Sequence, residues 1–122
     1  MIYNNGKTDT TDNYFKLAIA TVRLASVDYI NAIRYIRKNA DKAETDEDRV
    51  RLREKKHTVR ECEKFFHDGL FSTATDFPAA DFINRLRIIA NQSDTLMTWK
   101  TLRDMGSAFD GTKRVEKGYL NR

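Results

Sequence analysis

Arg49, Arg53, Lys56, Arg60 and Lys64 follow one another at steps of four, three, four and four. At about 100° per helical residue they fall within one arc of roughly 80°, and at about 1.5 Å of rise per residue the row is roughly 22 Å long. Five cations on one face of that length could track a phosphate backbone or an acidic protein surface by charge alone. Few acids fall inside the arc itself. Glu54, Glu61, Glu63 and Asp68 are close enough in sequence to neutralise part of it, and the row would then be an ordinary solvated face. Arg34, Arg37 and Lys38 add bases at the end of the preceding helix, and Lys113, Arg114, Lys117 and Arg122 add more near the C-terminus. No aromatic residue interleaves the row, which disfavours a base-stacking RNA surface. The connections also lack the short turn between compact helices of a helix-turn-helix reader.

Other chemistry is poorly represented. His57, Cys62 and His67 step by five, which turns each about 140° from the last on one helix, so they do not converge on one ion. Glu63 and His67 have the spacing of four, without an evident third ligand. Cys62 lies beside Val59 and Phe66 on an apolar arc and reads as a small core residue rather than a nucleophile, which would need a paired base. There is no Gly-rich phosphate loop and no Gly-x-Ser-x-Gly elbow. No pair of carboxylates is singled out for acid–base work. The expectation is a non-enzymatic protein with no catalytic residues, no metal, no cofactor and no evident small-molecule substrate.

The elements that must position the basic row are helical. Phe15, Ala18, Ile19, Val22, Ser26, Tyr29, Ile30, Ile33 and Ile36 recur at steps of three and four, predicting a first helix over about 12–39. Leu17, Ala20, Leu24 and Val27 form a second apolar row on it. A surface helix has one such stripe, so this helix is either central or meets another chain, and Leu17, Leu24 and Val27 are a candidate dimer face. The acidic stretch from Thr45 to Asp48 starts a second helix, ending near His67, with Leu52, Val59 and Phe66 on one seam and Gly69 as its stop. The short connection makes the two antiparallel. Pro78 begins a third helix to about Asn91, with Phe82, Ile83, Leu86 and Ile89 inward. Ser93 or Asp94 caps a fourth, about 95–105, carrying Leu96, Trp99 and Leu102. The aromatics Phe65, Phe66, Phe71, Phe77, Phe82 and Trp99 read as core, with Leu70, Phe71 and Phe77 tucked onto the long helices; if one protrudes, Phe71 or Trp99 would be the natural protein-interface anchor. The fold class is therefore all-α: a long antiparallel helical hairpin with two shorter C-terminal helices. Residues 1–11 form a flexible lead, 12–106 the helical domain and 107–122 a basic tail.

The chain of 122 residues is one domain by length, able to bury a core without great depth. Its 22 basic and 18 acidic residues leave a net charge of +4, which favours anionic partners only mildly. One proline and five glycines suit a helical chain. The single Cys62 fits a reducing compartment. No apolar stretch approaches the roughly 20 residues of a membrane span, and the start MIYNNGKTDTTDN has no apolar signal core, so a cytoplasmic protein is expected.

Two segments carry a resemblance. Ala25 to Arg34 includes Asp28-Tyr29-Ile30-Asn31-Ala32, and Glu61 to Phe71 includes Glu63-Lys64-Phe65-Phe66. With Phe82-Ile83-Asn84-Arg85-Leu86-Arg87 they resemble a pattern in small helical proteins of phages and integrative elements of Gram-positive bacteria: an alanine-rich helix ending in Asp-Tyr-x-x-Ala, a later helix ending in Glu-x-Phe-Phe, and a short Phe-Ile-x-x-Leu-Arg helix. The resemblance covers the region from Phe15 to Ala90. It implies an accessory protein that binds a nucleic acid or nucleoprotein target of the host, most concretely an inhibitor of a host defence system such as CRISPR–Cas. The alternative is a structural or assembly module that binds protein through its aromatic end.

Overall fold

The computed structural model describes residues 2–105, with side chains from Asn13 on. Within them the chain is all-α. Helix α1 spans Ile2–Asn39, a 3₁₀ turn spans Ala40–Lys42, and α2 spans Asp46–Phe66. Three shorter helices follow rather than the expected two: α3 (Gly69–Ala74), α4 (Ala79–Ala90) and α5 (Trp99–Asp104). Helix α1 touches each of the others. It meets α2 in antiparallel fashion, with Tyr35 under the Lys55 ammonium near one end and Tyr29 bonded to Glu63 near the other.

Helix α1 begins at Ile2, ten residues before Asp12, and the expected flexible lead 1–11 is thus helical in its backbone from Ile2 onward. Extending a helix that is already nucleated fixes one residue per hydrogen bond gained, so the polar stretch ahead of Asp12 need not stop it. The basic tail 107–122 lies outside the described residues.

The start of α2 follows from its first turn. Thr45 accepts from the Asp48 amide at 3.0 Å, and the Asp48 carboxylate accepts from the Thr45 amide at 3.3 Å, a reciprocal capping box. Those bonds, first the one from Thr45 and then one from Glu44, hold the Asp48 carboxyl below its ordinary value. The far end differs from expectation. Gly69 is not the stop but the first residue of α3, because the Asp68 side chain accepts from the Leu70 amide at 3.1 Å and caps a new helix there.

The core forms where α1, α2, α3 and α4 meet. Phe66 lies at its centre, with ring centroids of Tyr29 at 5.8 Å, Phe65 and Phe71 at 5.6 Å and Phe82 at 5.2 Å, mostly edge to face. Phe71 also packs on Phe82 at 5.1 Å and is buried, so it is a core residue and not a protruding interface anchor. Ala18, Val22, Ile30, Leu86, Ile89 and Leu102 extend the same cluster.

The segment between α4 and α5 is held by polar side chains of α1. Arg34 is buried and donates from Nε to the Ala90 carbonyl at 3.1 Å, and from its two terminal nitrogens to Thr95 and Ile89 carbonyls at 2.8 Å each. Arg37 donates to the Ala90 carbonyl at 2.8 Å and the Ser93 carbonyl at 2.7 Å, and pairs with Asp94. These cations satisfy the orphan carbonyls at the C-terminus of α4, where positive charge also suits the helix dipole. Asn31 pairs both ways with the backbone of Met97, accepting from its amide at 2.7 Å and donating to its carbonyl at 2.9 Å. That contact draws Met97 into the core and leaves Leu96, outside any helix, 78% exposed. Helix α5 accordingly starts later than expected, capped by Thr98, which accepts from the Thr101 amide at 3.2 Å.

Arg34→Met should destabilise the protein by about 3 kcal/mol, since three carbonyls lose a charged donor, whereas Arg53→Ala on the exposed face should change stability by less than about 0.5 kcal/mol. Urea denaturation of both variants separates a structural cation from a solvated one.

Candidate nucleic-acid interface

Helix α2 is continuous from Asp46 to Phe66 and turns Leu52, Cys62 and Phe66 into the core. All five expected bases, Arg49, Arg53, Lys56, Arg60 and Lys64, lie on its exposed side. They do not stand alike. Arg49 bonds Asp46 at 2.6 Å, one turn back, and Lys64 approaches Glu61 at 3.6 Å. Arg53, Lys56 and Arg60 make no ion pair or hydrogen bond among the described residues. The unpaired part of the row spans about 10 Å at 1.5 Å of rise per residue. The two outer pairs are exposed surface contacts between neighbours on one helix, worth little in water. A phosphate could displace those carboxylates with little loss.

Of the acids expected to neutralise the row, Glu61 does so in part and Asp68 caps α3. Glu63 turns the other way. Its carboxylate accepts from the Tyr29 hydroxyl at 2.6 Å and from Arg87 at 2.7 Å, and the Arg87 Nε–H donates to the Tyr29 oxygen at 2.9 Å. This triangle joins α1, α2 and α4. Burial would raise the Glu63 carboxyl, but the bonds from Tyr29 and Arg87 overcome it and hold the group below its ordinary value of 4.5. Burial, and then the bond to Glu63, push the Tyr29 hydroxyl above its ordinary value of 10.0. The bonds to Glu63 and Tyr29 raise Arg87. A tyrosine on a core face needs a partner for its hydroxyl, and that requirement was the sequence signal for this triangle.

Of the further bases ending α1, Arg34 is buried and Arg37 is exposed, and both are engaged with backbone carbonyls, as described above. The bases Lys113, Arg114, Lys117 and Arg122 lie outside the described residues.

The other candidate residues separate. Leu17 and Leu24 are 57% and 63% exposed on α1. Val27 is half-buried against the core, so two of the three members of the expected dimer face are mainly exposed. Trp99 is half-buried beneath the Arg23 guanidinium, 5.0 Å from the ring centroid, and is covered rather than free as an anchor. Cys62 is buried, and burial, with Asp28, Glu61 and Glu63 nearby, pushes its thiol up to about 11, so it carries no thiolate at neutral pH. His57 and His67 are exposed while Cys62 is not. Among the described residues no three His, Cys, Asp or Glu side chains gather as a metal site would require, and no helix is long and apolar enough to cross a membrane.

Compared with family models, curated proteins and solved structures, the chain finds no match in any of the three.

The depressed Glu63 carboxyl has a defined pH signature. Its stabilising contribution is complete above the unfolded value near 4.5 and is lost as pH falls through the lower folded value. Glu63→Gln should therefore flatten the acid limb of the stability curve below about pH 4.5. Denaturation midpoints measured across pH 2–7 check this, and an unchanged acid limb would show that the triangle does not hold the carboxylate.

Proposed function

We propose that the protein is a non-enzymatic accessory protein of a phage or mobile element that docks on a nucleic acid or nucleoprotein through the outer face of α2. The observation that carries this reading is the row Arg53, Lys56 and Arg60, exposed and without an ion pair among the described residues, on a helix fixed from behind by the core. Arg49 and Lys64 extend it once their carboxylate neighbours are displaced. The charges are fixed in place before contact, so they supply on-rate and backbone attraction without ordering a loop. The phage or mobile-element setting rests on the resemblance carried by the Asp28–Ala32, Glu63–Phe66 and Phe82–Arg87 segments. Inhibition of a host defence system such as CRISPR–Cas, in the cytoplasm of the host cell, is its most concrete form.

In this reading the protein acts as a homodimer through α1. Leu17 and Leu24 stand one heptad apart, which keeps them on the same side of the helix, and both are mainly in solvent. Two copies meeting there would remove apolar surface that the domain itself does not cover. Assembly through an aromatic end is less well supported, since Phe71 is buried and Trp99 lies under Arg23.

Replacing Arg53, Lys56 and Arg60 together by Glu should abolish binding to duplex DNA in a fluorescence anisotropy titration at low salt. Neutralising them to Ala should lower the slope of log affinity against log salt by roughly 0.9 for each phosphate that no longer meets a cation. An affinity and slope indifferent to these changes would make the row a solvated face. Separately, sedimentation at micromolar concentration should show a dimer that Leu17→Glu with Leu24→Glu converts to a monomer, and a wild-type monomer removes the dimer from the reading.

A further inference from the structure

A second basic surface lies elsewhere on the molecule. Between the end of α1, the middle of α2 and the 94–96 segment is a cleft of about 420 Å³, lined among others by Arg34, Tyr35, Lys38, Lys55, Asp94 and Leu96. Its size is within the range of about 300–1,000 Å³ usual for small-ligand sites. Lys55 sits about 140° around α2 from the centre of the outer row, by the helical rotation per residue. The two surfaces are therefore distinct.

Charge in this cleft is one-sided. Three cations line it against one carboxylate, and that carboxylate, Asp94, already pairs with Arg37 outside the lining. Lys38 and Lys55 form no ion pair among the described residues. Lys55 is half-buried, with its ammonium 5.7 Å from the Tyr35 ring centroid, which holds it beside the cleft. Arg34 is fixed by its three carbonyl acceptors, so its positive charge cannot swing away to solvent. Two lysine ammonium groups beside a fixed guanidinium suit a compact anion with several oxygens. Lysine recognises phosphate as a point charge and needs no planar fork.

We propose that this cleft binds a phosphate group, held by Lys38 and Lys55 under the fixed charge of Arg34. The site does not depend on the outer row of α2. Its phosphate could belong to a free small molecule or to the end of a nucleic-acid strand, and the chemistry of recognition is the same.

The test is a titration of the full chain with inorganic phosphate, followed by the backbone amide resonances of Lys38, Asn39 and Leu96. Saturable shifts confined to these positions are expected. Lys38→Gln with Lys55→Gln should weaken the interaction about tenfold or more, as removal of charged hydrogen bonds implies. Neutralising Arg53, Lys56 and Arg60 should leave it unchanged, so this site and the outer row can fail separately. Should the double variant not fold, Lys38→Gln alone, at an exposed position, must still weaken binding. Shifts that do not saturate, or that survive the lysine changes, overturn the proposal. A short single strand carrying a 5′-phosphate, compared with the same strand ending in a hydroxyl, distinguishes the sources: stronger binding of the phosphorylated strand assigns the group to a nucleic-acid end, and equal binding assigns it to a free phosphate compound.

Discussion

A guanidinium out of water must have its donors matched, and Arg34 meets that requirement with the carbonyls of Ile89, Ala90 and Thr95. Much of the C-terminal half follows from this. Helix α4 can end without leaving its last carbonyls bare. The chain is held against α1 where Asn31 pairs with Met97, and Met97 and Leu102 lie in the core. Arg37 repeats the device one turn later with Ala90 and Ser93. The clamp also determines which cations are left for other uses. Of the three bases ending α1, Arg34 is engaged inward and Arg37 on the surface of the 90–94 segment, and Lys38 remains.

The buried faces of the two long helices were legible because their signals are periodic. Phe15 to Ile36 at helical steps, and Leu52, Val59 and Phe66 at sevens, place the buried face of both long helices, and the acidic stretch from Thr45 to Asp48 marks the start of α2, where the structure adds a capping box. Where tertiary contacts decide, sequence spacing misleads. Leu96, Trp99 and Leu102 step by three and invite one helix, but the Asn31 side chain holds Met97 by its backbone, and Leu96 is left in solvent. Phe71 belongs to a six-residue helix too short to show periodicity, so it reads from sequence as a core aromatic without excluding a protruding one, and the structure decides for the core. In the candidate interface, the arc of five bases could be read, but not which acids answer them. Glu61 and Glu63 stand two residues apart and so face nearly opposite sides of the helix, but that the hydroxyl of Tyr29 and the guanidinium of Arg87 would meet Glu63 depends on how α1 and α4 pack.

The double apolar row on α1 has two causes. One side, through Ala18, Val22, Tyr29 and Ile30, is the centre of the domain, since α1 touches every other helix. The other, through Leu17 and Leu24, has no cover among the described residues, while Val27 between the two rows is partly drawn into the core. A central helix explains the first row completely and leaves the second unexplained. Leu17 and Leu24, a heptad apart on one side of the helix, are the apolar surface that the proposed dimer would cover.

The way charge is divided around α2 bears on how such a surface can be used. Leu52, Val59, Cys62 and Phe66 centre the packed side, and the middle of the basic row lies roughly 120° from that centre by helical rotation. A substitution in the row therefore leaves core packing unaltered, and a substitution in the core does not alter the charge pattern directly. Glu47, Glu54 and Glu61 recur at sevens along the far flank of the row, so the exposed side of the helix carries a basic strip bordered by an acidic one. In the proposed reading this border would align the ligand: a phosphate backbone laid along the helix axis would meet Arg53, Lys56 and Arg60 in turn, whereas one crossing it would meet carboxylates within a turn. The order of charges in this 21-residue helix would then favour a ligand that runs parallel to α2.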